Sequence, residues 1–428
     1  MKIYRAKLCL CLLALISCAI VLTGCFGYFP IMTRANPGFI VDDSVKSNCF
    51  LEPAHSIRER EMVVEFKALK NKDVYLISSH GRVVHYSTKQ KCKSIPFELD
   101  LLCGMRHTIT DRGIFYTDYR PNGSSVYPLI GSKELTSGAK QYEFAGETTA
   151  SFCPGMEVAP IITDDTIYLH LRRYGVVAIK DGKIKWRTSL TSYQMPMNIE
   201  YPIAKFLQHQ NHLYLVTDTP YTGGAYGVNS FSGTTKILDA RNGSIVGSIE
   251  YEGTSNEACI TEDGVLLRVG NHYSPNVYSG CQLFAYDIET KKELWASKGM
   301  CYGLKHLGDK VFHKTINSLV CRQAKSGKIL WQIKKASPFS VNYKLIYPSP
   351  DGNLYCLLNK DCKAHVQKID ANTGKIKWQQ LLKRGIGQIV SEDENHLHCI
   401  GHFDFNDKEQ LPEYISVSKS DGETAEVW

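Results

Sequence analysis

The feature that most constrains this chain is a short element that returns along most of its length: a polar turn, an aliphatic residue and then, in most copies, an aromatic one. The copies are Lys72-Asp73-Val74-Tyr75, Arg112-Gly113-Ile114-Phe115, Asp165-Thr166-Ile167-Tyr168 and Asn211-His212-Leu213-Tyr214 in the first half. Asp263-Gly264-Val265-Leu266, Asp309-Lys310-Val311-Phe312, Gly352-Asn353-Leu354-Tyr355 and Asn395-His396-Leu397-His398 continue it in the second. The aliphatic positions run from 74 to 397 at intervals of about 46 residues, the length of one supersecondary unit in an array whose members bury their faces against each other. Asp, Asn and Gly tolerate the positive φ angles of tight strand reversals, so each unit is expected to open with a hairpin.

A second element follows about twenty residues later within a unit of this length. Its clearest copies are Ala285-Tyr286-Asp287 leading to Trp295, and Lys368-Ile369-Asp370-Ala371-Asn372-Thr373-Gly374-Lys375-Ile376-Lys377-Trp378. Gln323-Ala324-Lys325-Ser326-Gly327 leading to Trp331, Asp239-Ala240-Arg241-Asn242-Gly243 leading to Gly247, and Ala178 to Trp186 around Asp181-Gly182 are weaker copies. Asp239, Asp287 and Asp370 can accept turn N–H groups, Gly327 and Gly374 can take a left-handed conformation, and the alternation that follows makes a strand. Trp186, Trp295, Trp331 and Trp378 then bring large apolar areas to the contacts between sheets. The fold expected is all-β: an eight-bladed β-propeller of four-stranded blades, with seven blades as the alternative count. An array of separate β-sandwiches would not give regular units this short.

The Ala-x-Asp-x-x-Thr-Gly-Lys-x-x-Trp element resembles the tryptophan-docking motif of quinoprotein alcohol dehydrogenase-like propellers, the PQQ-like repeat. With the opening elements the resemblance extends over residues 50–428, the first two units and the last matching the docking motif weakly. That family includes quinone-dependent dehydrogenases, which carry adjacent cysteines beside the cofactor, an Asp base and a calcium ion. None of the 15 cysteines here is adjacent to another, and no base or calcium ligand can be matched. The resemblance therefore implies blades without a cofactor, a metal or a catalytic residue. Fold analogy alone supplies no site.

The N-terminus reads as an address. Lys2, Arg5 and Lys7 precede an apolar run from Leu8 to Leu22, the order of an export signal. Leu22-Thr23-Gly24-Cys25 then resembles a bacterial lipoprotein signal, which implies cleavage before Cys25 and a lipid on it. Residues 1–24 are read as signal peptide, 25–49, with Pro30 and Pro37, as anchor and tether, and 50–428 as propeller. Phe26, in place of Asp, implies sorting to the outer membrane, facing the periplasm, where two membranes exist. The alternative is an uncleaved signal anchor on the extracytoplasmic face of the cell membrane, although Gly24, Gly27 and Pro30 oppose a continuous helix there. Removing the leader lowers the net charge of +7 by the three charges of Lys2, Arg5 and Lys7. The remaining basic residues are scattered, which excludes a nucleic-acid stripe.

Eleven cysteines lie beyond Cys25, an odd number without metal-site spacing. Cys356 and Cys362 could bridge a hairpin; buried free thiols are expected for most. His396, His398, Cys399 and His402 look like a metal cluster, the three histidines sharing a strand face, but His398 stands where other units have Tyr, and a structural role is expected. Arg172-Arg173-Tyr174 and the loop from Tyr221 to Tyr226, with Gly223-Gly224, fall between strands and are candidate partner contacts. The leading reading is a membrane-anchored, non-catalytic scaffold holding a protein partner through loops or strand edges. By resemblance to outer-membrane assembly lipoproteins of this architecture, it extends to that process. A ligand or glycan sensor using the central channel, and a PQQ-dependent dehydrogenase, are the alternatives.

Overall fold

Each aliphatic repeat position enters the second strand of a four-stranded antiparallel meander. In a computed structural model the described residues run from 63 to 427, apart from connecting segments of which the longest are 100–105, 151–157, 191–202, 218–231, 335–340 and 402–412. Blade 1 consists of β1 (Val63–Ala68), β2 (Val74–Ser78), β3 (Arg82–Ser87) and β4 (Cys92–Glu98), paired in that order. Seven more sheets of the same consecutive order follow, at residues 106–145, 161–188, 203–252, 257–296, 302–334, 341–381 and 386–427. The count is eight, and the seven-blade alternative falls. Blade 2 adds a short strand, Thr149–Ala150, against its third strand.

Burial explains the arrangement. Every residue of β2 is buried, while β4 is mostly exposed. A sheet covered on both faces by neighbours reads as a continuous apolar run in its middle strands and becomes polar only at its outer strand. First strands lie side by side between blades 1 and 2 and from blade 3 through blade 7, and β1 lies beside Ile386–Glu392 of blade 8, so the first strands ring the axis. Among the described residues closure uses no exchanged strand. Val74, Leu76, Val84 and Tyr86 of blade 1 pack instead against Ile400 and Tyr414 of blade 8, with the Tyr86 and Tyr414 rings 6.3 Å apart.

The docking motif spans the turn from third to outer strand, and its parts serve two different interfaces. Each indole N–H donates to a carbonyl in the next blade: Trp186 to Ala240 (3.1 Å), Trp295 to Ala324 (2.6 Å), Trp331 to Ala371 (3.0 Å) and Trp378 to Lys419 (3.2 Å). The turn glycine is the floor of that socket. Gly374 has φ +72° and a Cβ there would stand 2.7 Å from the Trp331 ring; Gly327, at φ +67°, would meet Trp295 at 2.6 Å. These positions need glycine both for left-handed backbone and for close approach.

Two docks escape the sequence pattern because their aromatic residue is not Trp. Phe97 lies over Gly138 of blade 2, and Tyr142 over Gly182 of blade 3. Between blades 4 and 5 the sizes are reversed. Gly247 takes the Trp position, while Lys291, at φ 60°, takes the turn-glycine position. A Cβ on Gly247 would collide with the Lys291 ammonium. The missing aromatic area is made up by Arg268, 1% exposed, whose guanidinium carbon lies 4.0 Å from the centre of the Tyr251 ring and 4.2 Å from that of Phe284. Gly247→Trp alone is therefore expected to destabilise. Lys291→Gly in the same chain should recover at least about 1 kcal/mol beyond additivity, as neighbouring sites couple, measured by a double-mutant cycle in urea.

Candidate functional site

The meander sorts the connections onto two faces. Turns from first to second and from third to outer strand lie on one face, and the remaining connections on the other. The turn face is tight and the loop face holds the long segments. Arg172, Arg173 and Tyr174 fall between Thr166–Leu171 and Gly175–Lys180 of blade 3, and Tyr221 and Tyr226 between His212–Thr217 and Ser232–Asp239 of blade 4. These five residues lie outside the described residues, as do Cys25, Cys362, His402 and Trp428. The strands that bound the two segments end on the same face of adjacent blades. The strand pairs Gly113–Asn122 with Ser125–Lys133, and Val265–Ser274 with Val277–Asp287, also run longest toward that face.

On the turn face the repeat carboxylates are consumed in building turns. Asp370 Oδ1 accepts the N–H groups of Asn372 (3.0 Å) and Thr373 (2.9 Å) and the Thr373 hydroxyl (3.0 Å). Asp287 Oδ1 accepts those of Glu289 and Thr290. Hydrogen bonds from Lys377 and the Thr373 backbone hold Asp370 at about 2, and those from Arg241 hold Asp239 at about 2. Carboxylates so placed are permanently ionised acceptors, unsuited to taking a proton near neutrality.

Between blades 7 and 8 the alanine of the Trp socket is replaced by Lys419, only 6% exposed. Its ammonium lies 2.8 Å from Glu392 and 3.3 Å from Asp351 and donates to the Asp393 carbonyl. Burial pushes the Lys419 amine down, but the two carboxylates outweigh it and the net direction is up. A polar cavity of about 430 Å³ beside it is lined by Asp351, Lys368, His396, Ser418 and Lys419 among others. Lys368 donates to the Lys419 carbonyl. Glu392 Oε2 and Asp351 thus pair with the Lys419 ammonium and join two blades.

The histidine group divides. On Leu397 and Cys399 the strand packs toward blade 7, so the Cys399 thiol faces away from His398. His398 Nε2 lies 3.2 Å from Asp393 Oδ2, and its Nδ1 is hydrogen-bonded to the Tyr414 hydroxyl. His396 Nδ1 is 3.6 Å from Asp393 Oδ1. The cysteines Cys92, Cys259, Cys281, Cys301, Cys321, Cys356 and Cys399 are free thiols. Around the axis, Glu257 accepts the N–H groups of Gly303 (3.0 Å) and Leu304 (2.6 Å), linking the first strands of blades 5 and 6. Burial lowers Lys205 there and raises the Cys259 thiol to about 12, which keeps it protonated.

This geometry defines a class: an eight-bladed β-propeller of four-stranded antiparallel blades joined by aromatic docking. Residues 285–397 match the family model for "Outer membrane protein assembly factor BamB", and the chain resembles that protein. No curated protein matches the chain. Among solved structures, BamB from Moraxella catarrhalis aligns at 13% identity over 81% of this chain and 96% of that one, with a TM-score of 0.47. The dihydro-heme d1 dehydrogenase NirN aligns at 12% identity over 74% of this chain and 66% of that one, with a TM-score of 0.50, a likeness of fold. The WD40 propeller domain of Doa1 aligns at 10% identity over 72% of this chain and 92% of that one, with a TM-score of 0.40.

Proposed function

We propose that this chain is an exported, non-catalytic scaffold, lipid-anchored at Cys25 to the periplasmic side of the outer membrane, that holds a protein partner during outer-membrane protein assembly. The observation that carries the reading is the match of residues 285–397 to the BamB repeat. The consumption of the repeat carboxylates in turn hydrogen bonds supports the non-catalytic part. Arg172, Arg173, Tyr174, Tyr221 and Tyr226 supply partner contacts, since Arg and Tyr are the side chains that most often dominate binding energy. Residues 1–24 serve as the leader and 25–49 as the tether.

Affinity capture with the native anchor tests this. The chain is expected to bring down a defined assembly component, and replacing Arg172 and Arg173 by Ala should reduce the yield several-fold while stability stays within about 0.5 kcal/mol, as for most surface changes. Intact mass should show a chain beginning at a lipid-bearing Cys25. Saturable binding of pyrroloquinoline quinone with calcium, or dye-linked alcohol oxidation, would replace the scaffold by a quinoprotein enzyme.

A further inference from the structure

Every blade ends in an outer strand whose far edge pairs with no described strand. Such an edge templates pairing with another chain unless proline, charge or shortness blunts it. Most outer strands here are blunted. Blade 1 carries Pro96, blade 2 Lys140 and Glu143, blade 3 the alternating Lys183, Lys185 and Arg187, and blade 4 Glu250 and Glu252. Those of blades 5 and 8 are four residues long and include Glu293 and Glu426, and blade 7 has Lys377 within its strand.

Blade 6 differs. Its outer strand is Ile329-Leu330-Trp331-Gln332-Ile333-Lys334, with its one charge at the end. Trp331 is spent on the socket of blade 7, but Ile329 is 45% exposed and Leu330 41%. The charge around the strand differs as well. Gln323 stands where blades 4, 5 and 7 have Asp239, Asp287 and Asp370, so residues 323–334 hold Lys325, Lys328 and Lys334 and no carboxylate. Lys325 lies 3.9 Å from Asp263 of blade 5. Lys328 and Lys334 are exposed and have no carboxylate partner among the described residues.

We infer that the outer edge of blade 6 accepts an extended, acidic segment of a partner protein as a fifth strand. The segment's backbone completes the ladder, its aliphatic side chains cover Ile329 and Leu330, and its carboxylates meet Lys328 and Lys334. Strand addition of this kind takes affinity from main-chain hydrogen bonds and specificity from alternate side chains. At about 3.3 Å per residue, the stretch from Lys328 to Lys334 accommodates a segment of roughly seven residues. This assignment rests on the scaffold reading and names one of its contact surfaces.

The test uses the full chain in detergent and a fluorescein-labelled peptide, Glu-Val-Glu-Val-Glu-Val-Glu. Saturable binding by anisotropy is expected, weakening with salt, with slowed amide exchange across 329–334. Lys328→Glu with Lys334→Glu should weaken binding at least tenfold at an unchanged thermal midpoint, and Lys183→Glu with Lys185→Glu on blade 3 should leave it unchanged. No saturable binding overturns the inference, as does equal loss from the blade 3 pair or equal affinity for the Lys-Val counterpart peptide. Binding to phosphatidylglycerol vesicles that the blade 6 pair abolishes and the peptide does not compete for would make the edge a membrane surface and also overturns it. Partner capture at full yield by the Lys328→Glu, Lys334→Glu chain removes the edge and leaves the scaffold standing. Failure of the unaltered chain to capture any partner fails the scaffold reading itself.

Discussion

Trp331→Ala is expected to lower the free energy of unfolding by about 3–5 kcal/mol, the range for deleting a buried aromatic side chain. Trp331 is 9% exposed, packs 6.0 Å from Phe312 between ring centres, and belongs to a core that includes Leu354, Ile369 and Ala371 of blade 7. Substitution empties a socket whose floor is the Gly374 backbone, which cannot rise to fill it, and strands the Ala371 carbonyl. The loss therefore falls on the contact between blades 6 and 7. Equilibrium urea unfolding, read by far-ultraviolet circular dichroism, gives the number. A loss under about 1 kcal/mol, the scale of a surface change, would mean that the indole contributes little to holding the blades together.

Lowering the pH from 7.5 to 5 should cost more. His107, His170 and His313 are 3%, 6% and 0% exposed, and burial pushes their imidazoles down to about 3, about 3 and about 4. Lys133 adds to the effect at His107 and Arg322 at His313, whose Nε2 accepts the Arg322 Nε–H at 3.2 Å. A group whose pKa is depressed on folding contributes its stability above the unfolded value and loses it as pH falls through the interval between the two. With an unfolded histidine near 6.5, each site loses about 2 kcal/mol by pH 5, and the three together roughly 4–6 kcal/mol, a large share of a domain's usual 5–15. The depressed turn carboxylates Asp239 and Asp370 contribute nothing to this window, because their stabilisation fades only below the unfolded carboxylate range. Urea midpoints across the range measure the slope. His313→Asn should remove about a third of it, and a flat profile between pH 7.5 and 5 would show that these imidazoles take up protons in the folded state without penalty.

The blade count and the hairpin at the head of each unit were legible because both are local. An Asp or Gly at a reversal and an aliphatic pair after it have the same physical meaning wherever the chain meets them, and a regular interval between copies reports a repeated sheet. The candidate site was legible only as position. Arg172 to Tyr174 and the Tyr221 to Tyr226 loop could be assigned to gaps between strands, but long connections have no periodic constraint from which their contacts can be read. Phe97 and Tyr142 escaped notice since a search for Trp does not find its substitutes. A better signal was available: an aromatic residue of any kind, Phe or Tyr as well as Trp, on the outer strand.

Local chemistry thus settled that the chain forms four-stranded units, how many, and where each turns, because turn conformations and strand alternation depend on residues a few positions apart. Which partner each motif meets is a matter of packing across 29 to 54 residues, as in Trp295 to Ala324 and Trp186 to Ala240. Only the assembled ring could show that one glycine both turns its own chain and seats the preceding blade's aromatic ring. The ring also shows that Gly247 and Lys291 exchange sizes across a single interface, that Lys419 replaces a socket alanine with a neutralised buried charge, and that the outer strand of blade 6 carries its one charge only at its end. Each of these depends on which surfaces come to face one another, and a linear pattern carries no record of that until the blades have closed.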